Sequence, residues 1–396
     1  VQDVVASYEQ ARQNVYYKGR FTHIARVELS SDGGVDFFLD TPYQNLALLL
    51  DIPIVKASEV TVDNPLGTGP YSLEDGIGGK HLQRVVNWWC SSEDLVAKDS
   101  SIALVEAESP SQIRDEFEFS GLSVVCTNPQ TDSYADYRCD FELWEVDSGF
   151  MMYIGCNVTY SKFFDDGTLR TFLTYGIDRQ TLVDDNYGGL ALPTTLPISP
   201  MSPYYSKSLA TNYDYDEMRF IDAASKFRVP TNDKGVPRTL QLLVNSDDSA
   251  RLRCARNIAA TLTELGLACE TVESPTSVYE ARLQAANYDI YLGITKLPTT
   301  ADLSEFYRPW GEMSWGGLAN ETIYNMVNQS LADRGNYYNL HKLVADDGRI
   351  IPVMAGYYAI YAKRGVLSDL NPARDNVFYY TLGKTMESSK VATQFS

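Results

Sequence analysis

The sequence predicts an α/β protein in which mixed sheets with flanking helices form two bodies. From Arg238 onward, apolar runs of strand length alternate with amphipathic helical segments, which is typical of parallel strands joined by crossover helices. Before Tyr160 alternating runs are joined instead by hairpin turns, such as Asp-Gly-Gly at residues 32–34. A strand-like run returns at residues 349–363, so one body is assembled from two separated segments. Two chain crossings between the bodies predict a hinge.

The N-terminal elements are a helix, a hairpin and a second short helix. Apolar residues recur at helical spacing over residues 3–15, which predicts an amphipathic helix. Residues 22–31 and 35–42 flank the Asp-Gly turn and predict an antiparallel strand pair. Residues 43–58 predict a short helix that packs on this hairpin, and residues 82–92 predict a further strand.

Between residues 109 and 189 the pattern changes from strands to helices. Residues 109–126 predict a short helix, a glycine stop and a buried strand. A strand pair is then predicted around the turn Asp-Ser-Gly at residues 147–149. Two helices follow, the second capped by Asp178 and ended by the glycine pair at residues 188–189. The apolar stripe of the first helix consists of Leu169, Phe172, Leu173 and Ile177.

The region after Arg238 supplies the parallel sheet. Its predicted strands are residues 239–245, 268–274 and 290–294. The connecting helices are predicted over residues 249–267 and 277–289, and the first of these turns its leucines and alanines inward. This strand–helix alternation predicts crossover connections within one sheet.

The charge of the chain argues against two classes of partner. The chain has 33 basic and 52 acidic side chains, which gives a formal net charge of −19 at pH 7. Affinity for nucleic acid and for anionic membranes comes from Lys and Arg beside phosphates, so we expect neither partner. No apolar run reaches the roughly 18 residues needed to span a bilayer, so we expect no membrane-spanning helix.

The stretch NPLGTGPYSLED at residues 64–75 has the glycines of a phosphate loop but not its chemistry. Pro70 lacks a backbone N–H, and no Lys follows the glycines. The stretch also lacks the third Gly of a dinucleotide-binding fingerprint. We interpret it as a tight turn that leads into a strand.

The sequence contains few catalytic signals. Its three histidines, His23, His81 and His341, show no metal-binding spacing, and its six cysteines form no CxxC pair. There is no GxSxG elbow, and the paired carboxylates are typical of helix caps and solvated turns. We therefore expect no catalysis, no metal and no cofactor. A secreted hydrolase acting on peptides or glycosides is the alternative from another functional class.

Four segments in order resemble the family 5 extracellular solute-binding proteins of ABC importers, the oligopeptide-, dipeptide- and nickel-binding group. Residues 1–12 are similar to the helix that follows the family's TA-x-DV signature, and residues 64–75 to its P-x-GTGPY turn. Residues 156–200 are similar to the segment with the family's DR motif, and residues 350–354 to its late return strand. In the third segment the matching positions are Asn157, Phe164, Asp166, Arg170, Ile177, Asp178, Arg179, Gly189 and Pro193.

The resemblance implies a two-lobed type II periplasmic-binding-protein fold, with the ligand between lobes that close by a hinge. Residues 67–156 and 351–396 form lobe one in this division, and residues 157–350 form lobe two. Residues 1–66 are then what is left of the N-terminal subdomain. Family members carry a longer stretch before the first helix, with a leader and often a lipid-anchor cysteine. We therefore expect the N-terminal part of lobe one to lie outside this chain.

The resemblance also guides the choice of ligand-binding residues. Peptide binders of the group hold the free amine of a peptide with an Asp just after the strand that matches YDIYLGI. This chain has Thr295 and Lys296 there, and a Lys repels an ammonium group. Asp302 is the alternative amine anchor, while strand backbone groups are expected to pair with an extended ligand. The predicted ligand-binding residues are Asn157, Tyr160, Tyr291, Gly293, Thr295, Asp302, Trp315 and Met354.

The predicted function is therefore that of an extracytoplasmic solute-binding protein. We expect a monomer that captures a peptide-like or other small organic solute and presents it to the membrane permease of an ABC importer. As a cell-surface lipoprotein or a periplasmic protein, it would carry its leader and anchor outside this chain. A ligand-sensing module that is not coupled to transport is the second alternative.

Overall fold

The computed structural model describes residues 1–76, 78–90, 99–107, 109–119, 121–128, 137–367 and 370–374. Its helices are α1 Gln2–Gln13, α2 Pro110–Phe119, α3 Thr168–Phe172, α4 Arg179–Tyr187, α5 Lys207–Ala210, α6 Glu217–Lys226, α7 Ser249–Glu264, α8 Thr276–Gln284, α9 Ser304–Tyr307, α10 Glu321–Ala332 and α11 Tyr337–Asp347. Its strands are β1 Ile24–Leu29, β2 Val35–Leu39, β3 Tyr71–Gly76, β4 Gly79–Arg84, β5 Ser101–Ala103, β6 Val124–Thr127, β7 Phe141–Cys156, β8 Leu192–Pro193, β9 Leu240–Asn245, β10 Cys269–Ser274, β11 Ile290–Lys296 and β12 Ile350–Lys363.

The described residues belong to two compact units. Unit 1 comprises the described parts of Val1–Asp40, Ala47–Ser148 and Tyr357–Ser396, and unit 2 comprises Thr41–Leu46 and Gly149–Gly356. Strands β7 and β12 each contribute residues to both units, because the unit boundaries fall inside them. The lobe division inferred from the sequence stays a prediction.

Unit 1 contains a hairpin, a three-stranded sheet and the end of β12. Strands β1 and β2 pair antiparallel across a turn in which Gly33 has a φ of +88°, as the Asp-Gly signal predicts. Strands β3, β4 and β5 are antiparallel neighbours in that order, and β6 pairs with the last residues of β12. Helix α1 packs on the hairpin through Tyr8, whose ring lies edge-on to that of Phe37 at 5.0 Å.

The strand predicted at residues 82–92 ends early. Strand β4 stops at Arg84, and Asn87 follows in a turn with a φ of +60°. Both tryptophans of the NWWC run donate their indole N–H to the carbonyl of Thr68, at 2.8 Å each. These bonds hold the run in a turn beside the glycines. Strand β3 begins at Tyr71, so the GTGPY stretch is a turn that leads into a strand, as predicted.

The turn predicted at residues 147–149 is wrong, because β7 runs without interruption through it. Gly149 has a φ of +77°, which Gly adopts without strain, so the strand continues past this point. The apolar run after it pairs with β11, from Cys156 opposite Ile290 to Phe150 opposite Lys296. Asp-Ser-Gly indicates a hairpin only when its two flanks pair with each other, and here the second flank pairs with a different strand.

A mixed sheet forms the centre of unit 2. Its strand order is β10–β9–β11–β7–β12, and β8 also pairs with β12. Strands β10 and β11 run parallel to β9, as the strand–helix alternation predicts, while β7 is antiparallel to β11. Helices α4 and α7 belong to the hydrophobic core of this unit, with Ile258 and Leu262 fully buried against the strands.

The two helices predicted after Tyr160 are confirmed, with a 3-10 turn between them. Asp178 caps α4 by accepting a hydrogen bond from the backbone N–H of Thr181 at 3.1 Å. Gly188 ends α4 in the left-handed conformation, with a φ of +58°. The predicted apolar stripe of the first helix is buried in full: Leu169, Phe172, Leu173 and Ile177.

Candidate functional site

The two faces of the β7–β11 strand pair carry different side chains. On one face, which we term the aliphatic face, Ile290 and Leu292 join Ile154 in the hydrophobic core of unit 2. The side chains of Tyr153 and Tyr291 alternate with these residues and therefore lie on the other face, their rings 5.7 Å apart. Aromatic rings dominate that face, which we term the tyrosine layer: Tyr153, Tyr279, Tyr288, Tyr291 and Phe306.

Two glycines leave room for the tyrosine layer. A Cβ at Gly155 would lie 2.2 Å from the ring of Tyr291, and a Cβ at Gly293 would lie 2.7 Å from the ring of Tyr153. Both rings are almost completely buried and have little space to move aside. Gly293, one of the predicted ligand-binding residues, is thus a position where only the absence of a side chain allows the rings to pack.

The hydroxyls of the tyrosine layer are only partly satisfied. Tyr279 Oη donates to the carbonyl of Leu292 at 3.0 Å, and Tyr291 Oη donates to Tyr153 Oη at 3.3 Å. Tyr288 Oη is buried without a hydrogen-bond partner among the described residues. Burial raises the pKa of Tyr291 well above its usual value, so this hydroxyl stays protonated at neutral pH and cannot act as a base there.

A tightly bonded loop after α9 holds Trp310 in solvent. Glu305 organises this loop: its carboxylate pairs with Arg308 Nη2 at 2.7 Å, and its carbonyl accepts the N–H of Met313 at 3.1 Å. A Cβ at Gly311 would lie 2.2 Å from the same carbonyl, so the chain passes very close at that point. Trp310 has a φ of +61° and is 98% exposed. Backbone strain at a fully exposed aromatic residue makes Trp310 a candidate ligand contact.

This loop lies against the end of β11 and the turn after β7. Thr295 Oγ1 donates to Met313 Sδ at 3.2 Å, and the N–H of Thr159 donates to the carbonyl of Gly316 at 3.2 Å. Tyr160, the next residue in the turn, is 72% exposed. We term the resulting group the candidate surface, formed by Tyr160, residues 293–296, Trp310, Met313 and Trp315.

One edge of β11 is open at the candidate surface. Strand β9 pairs with β11 only at Ile290 and Tyr291, whereas β7 pairs with β11 along its whole length. On the β9 side, Gly293, Ile294 and Thr295 therefore have no strand partner within the described part of the chain. An open strand edge presents backbone N–H and C=O groups that an extended ligand can pair with.

Asn157, the first of the predicted ligand-binding residues, is buried and positions the turn that carries Tyr160. Its Nδ2 donates to the carbonyls of Ala286 and Tyr288 at 2.9 and 2.8 Å. Its Oδ1 accepts the backbone N–H of Tyr160 at 3.0 Å. Asn157 therefore acts on the candidate surface through Tyr160.

Besides Asn157 and Gly293, which is also buried, three predicted residues are buried, and their part in ligand binding stays a prediction. Tyr291 lies in the tyrosine layer, and Met354 lies in the hydrophobic core of unit 2. Asp302 Oδ1 accepts the backbone N–H of Ser304 at 2.9 Å. Burial, together with the charge of Asp302, raises the pKa of the neighbouring Tyr43.

The remaining predicted residues lie together, and one prominent neighbour was missed. Gly293, Thr295 and Trp315 belong to the candidate surface with Tyr160. Trp310 was not among the predicted residues, although it is the most exposed large apolar side chain of the described residues. Its position between a proline and a glycine, in RPWGE, was the available sequence signal, since such flanks favour an exposed turn.

Two kinds of feature are absent from the described residues. No group of three or more His, Cys, Asp or Glu side chains there is arranged to hold a metal ion. No described helix combines the length and the hydropathy needed to cross a bilayer. What the candidate surface offers a ligand is aromatic area and backbone hydrogen bonds.

Solved structures of solute-binding proteins share this fold. A putative peptide-binding protein, AppA from Clostridium difficile, matches with a TM-score of 0.78 at 15% identity, over 97% of this chain and 85% of that chain. The oligopeptide-binding protein AppA from Bacillus subtilis, solved with a nonapeptide, matches with a TM-score of 0.63 at 17% identity, over 95% and 81%. AgaA from A. tumefaciens R10, solved with agropinic acid, matches with a TM-score of 0.63 at 18% identity, over 97% and 83%. The fold is the predicted type II periplasmic-binding-protein fold.

The sequence itself identifies the family. No curated protein matches the chain. A sequence profile described as bacterial extracellular solute-binding proteins, family 5 middle, matches residues 1–317. That match covers most of the 396 residues and includes three of the four segments on which the resemblance was based. The chain belongs to the family 5 bacterial extracellular solute-binding proteins.

Proposed function

We propose that this protein binds an extended, peptide-like solute, and that the candidate surface forms part of the binding site. Family membership supports the general role, which is to bind a substrate for an ABC importer and deliver it to a permease. The class of solute and the residues that hold it are the proposal.

The observation that carries the proposal is the unpaired edge of β11, whose Thr295 contacts the loop that carries Trp310. A peptide in extended conformation can add to this edge at Gly293 and Thr295, so that backbone hydrogen bonds supply affinity without regard to side-chain sequence. The exposed indole of Trp310 and the exposed ring of Tyr160 then supply area on which ligand side chains stack. Trp315 is half-buried and supports the loop from below the surface.

The solved relatives support this class of solute, although their ligands vary. The Bacillus subtilis protein was solved with a nonapeptide, and the A. tumefaciens protein with agropinic acid. An open strand edge suits a ligand with repeating N–H and C=O groups, which a peptide has along its whole length. Lys296 at the end of β11 is exposed. Its positive charge would repel the free ammonium group of a peptide, so the N-terminus of the peptide should lie elsewhere.

Asp302 and Met354 complete the proposed set of residues. Asp302 would act as the amine anchor only if the ligand's N-terminus reached its buried carboxylate. Met354 and Tyr291 would act from the interior, by holding the strands that present the surface. Comparing a free peptide with its N-acetylated form decides the role of Asp302, since acetylation removes the positive charge.

The cellular location and the oligomeric state are also part of the proposal. The family is extracellular, and we propose that the protein is a cell-surface lipoprotein or a periplasmic protein. We propose that it works as a monomer and without catalysis, as a carrier between the solute and the permease.

A thermal-shift screen of peptides, amino acids, sugars and metal chelates tests the function. Binding to the folded state alone raises the melting temperature by mass action, and we expect peptides to give the largest rise. Trp310→Ala should abolish most of that rise. Tyr338→Ala is the matched control, since Tyr338 is a half-exposed aromatic residue on α11, outside the candidate surface.

Two results would contradict the proposal. If peptides give no shift while sugars or chelates do, the class of solute is wrong. If peptides raise the melting temperature of Trp310→Ala as much as that of the wild type, the candidate surface is not part of the site.

A further inference from the structure

A cavity in unit 2 contains a buried positive charge. It has a volume of about 260 Å³ and lies between the start of α4, strand β8 and the segment that precedes α6. Arg179, Asp178, Asp214 and Tyr205 are among the residues that line it. None of its lining residues belongs to the candidate surface, so this inference does not depend on the proposed function.

Hydrogen bonds hold the Arg179 side chain rigidly, but no carboxylate of a described residue forms an ion pair with it. Its side chain is 4% exposed and donates to the carbonyls of Pro352, Thr174 and Ile177 and to the hydroxyl of Thr174, at 2.8–3.3 Å. Arg179 forms no ion pair with a carboxylate among the described residues, and the second N–H of its Nη2 has no described acceptor. A buried charge without a counter-ion is costly, which favours an occupant that brings one.

The charge of Arg179 persists at neutral pH. Burial lowers the pKa of Arg179 to about 10, and the carboxylate of Asp214 acts in the opposite direction. The guanidinium is therefore a cation under ordinary conditions, fixed in place by four hydrogen bonds.

Two carboxylates also line the cavity, and one of them has no hydrogen bond or ion pair with a described residue. Asp178 is engaged as the cap of α4, where it accepts hydrogen bonds from the backbone N–H and the hydroxyl of Thr181. Asp214 is exposed, and its carboxylate has neither a hydrogen bond nor an ion pair with a described residue. The cavity thus combines a buried cation with an exposed, available anion.

This charge arrangement selects one class of occupant. The two carboxylates would repel a simple anion, and the guanidinium would repel a simple cation. A molecule with both charges satisfies both sides. We propose that the cavity binds a small zwitterion of amino-acid size, its carboxylate toward Arg179 and its ammonium group toward Asp214. The volume lies just below the roughly 300–1,000 Å³ of small-molecule sites, which suits one amino acid better than a peptide.

Saturation-transfer NMR with three matched probes tests the site. L-alanine carries both charges, propionate only the carboxylate and isopropylamine only the ammonium group. We expect L-alanine to bind the wild type more tightly than either single-charge probe. Asp214→Asn should weaken L-alanine binding about tenfold or more, because a charge-assisted contact is lost. Asp233→Asn, which removes an exposed carboxylate in a turn outside the cavity, should leave binding unchanged.

Asp214→Asn is the primary variant because the Asp214 side chain bonds to no described residue, so the substitution should not disturb folding. The Trp310→Ala variant separates this site from the proposed function: L-alanine binding should persist there even where peptide binding is lost. The proposal is overturned if L-alanine binds no better than the single-charge probes at millimolar concentrations. It is equally overturned if Asp214→Asn binds L-alanine as the wild type does, or if Trp310→Ala alone abolishes that binding.

Discussion

The aliphatic face of the β7–β11 pair and its tyrosine layer belong to the same two strands but differ in the kind of side chain that they bury. On the aliphatic face, Ile154, Ile290 and Leu292 are fully buried side chains without polar atoms. In the tyrosine layer, large rings pack over two glycines, and one hydroxyl, that of Tyr288, is buried without a described partner. A hydroxyl buried without a hydrogen bond costs free energy, so the tyrosine layer is not optimised for stability alone.

The difference follows from what each face supports. The aliphatic face meets α4 and α7, which are structural helices of unit 2. The tyrosine layer includes Phe306 of α9, directly before the loop that presents Trp310. Rigid aromatic packing beneath an exposed surface holds that surface in place, which lowers the entropic cost of binding a ligand. The aliphatic face therefore stabilises the fold, whereas the tyrosine layer fixes the position of the loop that presents Trp310.

The largest expected effect is on the aliphatic face. Leu292→Ala should lower the free energy of unfolding by about 2–5 kcal/mol, because it removes a fully buried side chain and leaves a cavity. Ile294→Ala, two residues along the same strand, is the control and should cost less, since Ile294 is 37% exposed. Urea denaturation measures both. Equal losses would mean that the aliphatic face is not the main source of stability.

The next effect tests the packing of the tyrosine layer. Gly155→Ala should cost about 1–3 kcal/mol of unfolding free energy, because the new methyl group would overlap the buried ring of Tyr291. The cost should shrink in a Tyr291→Leu background, where that ring is gone, and a double-mutant cycle measures the coupling. Gly19→Ala has no atom within 4 Å of its Cβ and is the control. Absence of coupling would show that the ring yields and that the layer is not rigid.

A smaller effect separates the two kinds of hydroxyl. Tyr279→Phe should cost about 0.5–1.5 kcal/mol, since it removes the hydrogen bond to the carbonyl of Leu292. Tyr288→Phe should be neutral or stabilising, because its hydroxyl has no described partner to lose. Thermal and urea unfolding of both variants check the difference. If Tyr288→Phe is the more harmful change, its hydroxyl is engaged in solution by water or by a ligand.

The fold could be predicted well where local signals and long-range pairing agree. Asp178 and Gly188 mark the ends of α4 by their own chemistry, so their roles follow from the sequence. The Asp-Ser-Gly signal failed because a hairpin also depends on which strand the second flank meets. Which strand pairs with the residues after Gly149 depends on the packing of the whole sheet, and residues 147–149 do not determine it.

The candidate site was harder to predict, for a different reason. A strand pattern shows that Tyr291, Gly293 and Thr295 share a face but not that the face is covered by other rings. Trp315 was among the predicted ligand-binding residues, while Trp310 is the tryptophan that the backbone turns outward. A positive φ at a residue other than Gly, fixed by contacts with Glu305, is a property of the folded loop and has no simple sequence pattern.

The smallest expected change in stability concerns Trp310 and has the opposite sign. Trp310→Gly should relieve about 1–2 kcal/mol of left-handed strain and lose about 0.5–1 kcal/mol to backbone flexibility, for a net gain of up to about 1.5 kcal/mol. Trp310→Ala keeps the strained backbone and should gain nothing. Both variants should lose the peptide-induced thermal shift, and urea unfolding without peptide should separate them. A Trp310→Gly variant less stable than the wild type would show that the indole packs in solution. The gain together with lost binding would show that this loop retains strain in order to present its ring to a ligand.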